Sequence, residues 1–123
     1  LTSFFAYDAT MTDGVSIARF ENGRNQRDEI VTIPLDGTGV VKRFGENDDG
    51  TFKQITIGFI AASAGRITSG DIFQKGNDRL LIAGELNDRS YLFLYDKNGR
   101  ALGQMEPLSD GKSIAGIAAG WVY

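Results

Sequence analysis

The chain has 123 residues, 41% of them hydrophobic and 24% charged, with a formal net charge of −3 and neither cysteine nor histidine. That length and balance suit one folded domain with a hydrophobic core rather than a disordered segment. The missing residue types exclude disulfides, thiol nucleophiles, zinc-thiolate sites, the Ser-His-Asp triad and imidazole metal ligands.

The thirteen basic residues of this acidic chain are scattered, so nucleic acid is not an expected partner. No apolar run approaches the roughly 20 residues of a membrane-spanning helix, and no secretory signal is recognisable. With Leu1 rather than Met at its start, the chain reads as processed, excised or a slice of something longer. Sixteen glycines against two prolines, with Phe, Tyr, Ile and Val common, predict short strands joined by tight turns. No stretch sustains the apolar spacing of an amphipathic helix.

In chain order, residues 1–8 (LTSFFAYD) read as a strand, and Thr12-Asp13-Gly14 turns into a second strand at 15–20. A polar loop, 21–28, precedes an apolar strand at 29–33 that is stiffened by β-branched Ile30, Val31, Thr32 and Ile33. Asp36-Gly37-Thr38-Gly39 turns the chain into 40–44, and Asp48-Asp49-Gly50 is a hairpin signal ahead of 51–57. The order then restarts with a short strand at 66–70, a polar loop at 74–78 and an apolar strand at 79–83. Asn87-Asp88 turns into 90–95, and Asn98-Gly99, a type I′ signal, turns into 100–105.

The best-formed unit of this pattern is 69–84, SGDIFQKGNDRLLIAG; 19–34, RFENGRNQRDEIVTIP, echoes it, and 111–120, GKSIAGIAAG, begins a third copy. Asp28 and Asp78 are 50 residues apart, as are Ile17 and Ile67, and Ile114 follows Ile67 by 47. The chain is thus expected to be a single all-β domain, 1–123, with antiparallel four-stranded meander repeats at about 13–62 and 63–110 and the start of a third at 111–123. A repeat of that size matches a β-propeller blade; the alternative is a β-sandwich built from similar hairpins. A leading strand, two complete sets of four and a final strand at 112–118 make about two and a half blades. A closed ring needs about four or more, so something outside the chain is expected to finish the fold.

Several stretches resemble FG-GAP or VCBS-type repeats of bacterial surface proteins and integrin-like propellers. They are FFAYD at 4–8, DGVSIA at 13–18, DEIVTIP at 28–34 and GVVKRF at 39–44, with SGDI, NDRLLIAG and YLFLYDKNG in the second copy. The resemblance spans nearly the whole chain in short motifs. It implies a partial propeller, an extracellular or cell-surface location and a calcium loop of the form D-x-[DN]-x-D-G-x-x-D, which supplies oxygen ligands to a hard cation. Here the second loop begins with Asp71 but carries Phe73, Lys75 and Arg79 at the other ligand positions, so neither calcium nor any other cofactor is expected there. The first loop has Glu21, Gly23, Asn25 and Glu29 in the equivalent places; Glu21, Asn25 and Glu29 are a weak candidate cation set beside the plainer reading of a solvated loop. In the third copy Ala118 stands at the first ligand position.

Other chemistry is sparse. Asp48-Asp49, with Glu46 nearby, has the composition of a carboxylate pair but reads as a turn. Gly111-Lys112-Ser113 lacks the Gly of a phosphate loop, having Glu106 in its place, and there is no N-x-[ST] sequon. Phe44, Phe52, Phe59, Phe93 and Tyr95 fall in predicted strands and read as core, whereas Phe73 sits in a polar loop beside Asp71 and is the first choice for an exposed contact.

The expectation is a non-catalytic extracellular structural or assembly module that associates by strand or blade complementation into a larger propeller or fibre. Phe4, Phe5 and Tyr7 at one end and Ile114, Trp121 and Tyr123 at the other are the expected assembly residues, and the partners are copies of the chain or the rest of a longer one. The alternative is a propeller module binding a glycan or surface protein through Phe73 and Asp71.

Overall fold

The computed structural model describes residues 6–23, 26–59, 63–72, 76–87 and 89–105. Among them are eight strands and no helix: β1 (Val15–Phe20), β2 (Glu29–Pro34), β3 (Val40–Glu46), β4 (Phe52–Phe59), β5 (Ser63–Gly70), β6 (Arg79–Leu86), β7 (Arg89–Tyr95) and β8 (Ala101–Met105). Each hydrogen-bonds to its neighbour in sequence, giving two four-stranded antiparallel meanders, β1-β2-β3-β4 and β5-β6-β7-β8, with no strand exchanged between them. The all-β repeat architecture is therefore present. The two sheets pack on each other in a sandwich-like arrangement, without the Greek-key crossovers of immunoglobulin-type sandwiches.

The two meanders share local devices. At the β3–β4 turn Gly50 N donates to Asn47 O and Asn47 N to Thr51 O; at β7–β8 Gly99 N donates to Asp96 O and Asp96 N to Arg100 O. Gly50 and Gly99 hold φ of 86° and 84°, while Asn98 keeps a negative φ. Both turns are thus a type I turn closed by a left-handed glycine, not the type I′ turn that Asn98-Gly99 suggests. At β7–β8 the Asp96 side chain explains the choice, because its Oδ1 accepts from Asn98 N two residues ahead and favours a right-handed turn before the glycine; at β3–β4 Asp49 Oδ1 instead accepts from Thr51 N on the far side of Gly50.

Two further expectations are corrected. Residues 6–8 form a bend rather than the end of a strand, and β5 and β6 are longer than the sequence suggests, with a β-bulge between Ala64 and Arg66. Phe4, Phe5 and the strand at 112–118 lie outside the described residues.

One core lies between the sheets. Phe20, Val31, Ile33 and Val41 from the first meet Ile67, Leu80, Ile82 and Phe93 from the second, with Ala18, Ile57, Leu86, Tyr91 and Tyr95 packed around them. Removing that apolar area from water is the main force holding the sheets together. Polar contacts fix the edge where β1 lies beside β5. Ile67 N donates to Ser16 Oγ at 3.1 Å, and Ser69 Oγ donates to Arg19 O. These pairings advance together along both strands, so β1 and β5 run in the same direction.

Candidate functional site

Strand alternation gives the first sheet a second face. The cross-strand partners Arg19, Ile30, Phe44 and Gln54 lie on it, with Ile17, Thr32, Lys42 and Phe52. Part of that face is covered from within the chain. The Tyr7 hydroxyl lies 2.6 Å from Val40 O and 3.0 Å from both Thr32 O and Thr32 Oγ1, and Lys42 Nζ donates to Ala6 O while standing 4.6 Å over the Tyr7 ring. Burial raises the Tyr7 phenol above its ordinary pKa of 10.0; the Thr32 hydroxyl opposes that shift and the charge of Asp36 adds to it. Phe44 is buried beneath Phe52, their rings stacked 6.0 Å apart.

The rest of the face is open and carries three exposed apolar side chains beside the polar Arg19 and Gln54. Ile17 is 67% exposed, Ile30 48% and Phe52 50%. Their environment differs from that of their repeat equivalents. Ile67, 50 residues after Ile17, is 3% exposed, and Leu80, 50 residues after Ile30, is 1% exposed. In the second sheet those two positions face the first sheet and are covered by it; in the first sheet the same positions face solvent.

The covering surface carries a charged cluster at its margin. The Glu29 side chain is 1% exposed, with Arg43 Nε at 3.5 Å and Lys53 Nζ at 3.2 Å. Asn22 Nδ2 donates to Glu29 Oε1 at 2.7 Å, and Arg43 Nη1 donates to Lys97 O at 2.7 Å, tying the β7–β8 turn of the second sheet to β3 of the first. Glu29 Oε2 and Arg43 Nε make no hydrogen bond, so charge alone holds those atoms.

The candidate cation set is not assembled by its described members. Glu29 is committed inward to this cluster, while Glu21 is exposed and bridges to Arg19 at 2.9 Å; Asn25 lies outside the described residues. Among the described residues no group of three or more acidic side chains is placed to hold a metal ion. Asp71 turns its carboxylate into its own loop, where Oδ2 accepts from Gly76 N at 2.8 Å. Phe73, Ile114, Trp121 and Tyr123 lie outside the described residues. Tyr7 alone of the expected assembly residues is described, and it anchors the leading segment to its own sheet.

Sequence reasoning missed Ile17 and Ile30 and read Phe52 as core, where the structure leaves it half exposed; β2 carries a signal that could have found Ile30. EIVTIP places apolar residues on both faces of one strand, the composition of a strand covered on both sides. Compared with protein-family models, curated proteins and solved structures, the chain matches none.

Proposed function

We propose that the chain is a non-catalytic structural module of an extracellular or surface protein, whose repeats complete themselves by packing against a further sheet of the same type in a larger propeller or fibre. One observation carries this reading. Ile17 and Ile30 stand in the open at positions whose equivalents, Ile67 and Leu80, are buried against a neighbouring sheet. An exposed apolar patch on a sheet otherwise built from polar turns marks an interaction surface. The short resemblance to FG-GAP and VCBS repeats agrees with stacked four-stranded units and with a surface location.

The rival reading, ligand recognition through Phe73 and Asp71, has no comparable support, because the Asp71 carboxylate is engaged within its own loop.

The test is to place charge on the face. Ile17→Lys with Ile30→Lys leaves the inter-sheet core untouched, so circular dichroism should be unchanged while the native particle becomes smaller. An unchanged particle would mean that this face takes no part in assembly.

A further inference from the structure

We propose that Asp28 is the register-setting latch for a second copy of this chain, which docks its β5–β8 sheet onto the open face of the first sheet. This rests on the assembly reading above and adds the partner and the polar contact.

The junction inside the chain supplies the template. Asp78, just ahead of β6, reaches to the end of β1: Glu21 N donates to Asp78 Oδ2 at 2.9 Å and Asp78 N donates to Glu21 O at 2.9 Å. Apolar faces tolerate sliding, because hydrophobic attraction is non-directional. A paired hydrogen bond at one end does not, and it fixes where the second sheet sits along the first.

Asp28 occupies the same place ahead of β2, 50 residues earlier. Its carboxylate accepts from Arg19 Nε at 2.8 Å and stands 2.6 Å from Arg19 Nη2, with both side chains well exposed. An ion pair in water contributes little, so Asp28 can exchange Arg19 for a backbone N–H at small cost. Arg19 itself replaces Ser69, whose hydroxyl bridges the internal junction.

The incoming surface follows from the same register. Leu81, Leu92 and Leu94 sit on one face of the second sheet at the positions that Val31, Val41 and Arg43 hold in the first. That is the surface which, in the first sheet, covers Ile67 and Leu80. Leucine in place of Arg43 makes the incoming face fully apolar at that point, matching Ile17, Ile30 and Phe52. The residue equivalent to Glu21 is then Asp71 of the second copy, which follows β5 as Glu21 follows β1. Such a contact is head-to-tail, so it closes into a ring or continues as a fibre according to the rotation per copy.

Site-specific cross-linking tests this register, since the chain contains no cysteine. Chains carrying Asp28→Cys, mixed with chains carrying Asp71→Cys and oxidised, should give a one-to-one cross-linked dimer. A single chain carrying Glu21→Cys and Asp78→Cys calibrates the geometry. One backbone hydrogen bond of 2.9 Å joins the two residues and the Asp78 side chain already reaches the Glu21 backbone, a closeness that suits the roughly 4.4–6.8 Å Cα separation of disulfides, so this variant should close internally. Closure of the control without the mixed dimer overturns the proposal, as does a dimer of Asp28→Cys with itself, which would mean a two-fold contact. Asp28→Ala should weaken self-association about tenfold, the loss of one charge-assisted hydrogen bond. Full-strength association of that variant, together with its loss on Ile17→Lys and Ile30→Lys, sinks the latch and leaves the assembly face standing. A native chain that never self-associates sinks both.

Discussion

At the scale of single residues, two kinds of acidic side chain do different work. Asp8, Asp36 and Asp49 each accept from the backbone N–H and the hydroxyl of a threonine two residues on, closing three turns by the same device. These bonds favour the charged form and hold each carboxyl below its ordinary pKa of 3.8. A depressed folded-state pKa contributes stability that is complete above the unfolded value and lost as pH falls through the folded one. NMR titration should therefore place all three midpoints below 3.8, and Thr38→Val should bring the Asp36 midpoint back toward it; midpoints that ignore the threonines would contradict the assignment. Glu29 is the other kind. Glu29→Ala leaves the Arg43 guanidinium buried without its partner and should cost about 3 kcal/mol in denaturant unfolding, whereas Arg27→Ala, which breaks the exposed bridge to Glu46, should cost less than about 1 kcal/mol. Equal losses would mean that burial does not separate the two pairs. Asp36 and Asp49 were legible in the sequence, because an Asp beside Gly states its own local preference; Asp8, followed by Ala9, reads there as the end of a strand. Glu29 was not legible either: its partners Arg43 and Lys53 arrive from two later strands, and local spacing alone makes it resemble a loop ligand.

At the scale of elements, alternation and turn residues located all eight described strands, because each meander pairs neighbours in sequence and needs no long-range information. Turn type was less legible. Asn98-Gly99 carries the dipeptide of a two-residue hairpin, but the Asp96 side chain organises a longer turn and leaves the positive φ to Gly99 alone. That glycine is also crowded, since a Cβ there would meet Ile57 Cγ2 at 2.7 Å and Ile57 O at 2.9 Å. Gly50 has nearly the same φ, yet its nearest obstacle is Glu46 Oε1 at 3.8 Å. Gly50→Ala should therefore cost about 1 kcal/mol from backbone strain alone, and Gly99→Ala about 2–3 kcal/mol, because the β7–β8 turn must also lift from β4. Equal costs by thermal or denaturant melting would show that the turn does not press on the first sheet.

At the scale of the whole molecule, the 50-residue interval that is visible in the sequence acquires a physical meaning only when burial is laid over it. The segment 69–84 repeats 19–34 in pattern, but the chain provides a covering sheet for Leu80 and none for Ile30 among the described residues. Sequence alone located the repeat; it could not say which copy lacks a neighbour, because both carry the same apolar pattern. The measurement that tests this most directly is the native mass by sedimentation across a wide concentration range. Concentration-dependent species larger than one chain are expected, reduced to the 13.4 kDa monomer by Ile17→Lys with Ile30→Lys. A stable 13.4 kDa monomer for the unaltered chain at every concentration would contradict the assembly reading.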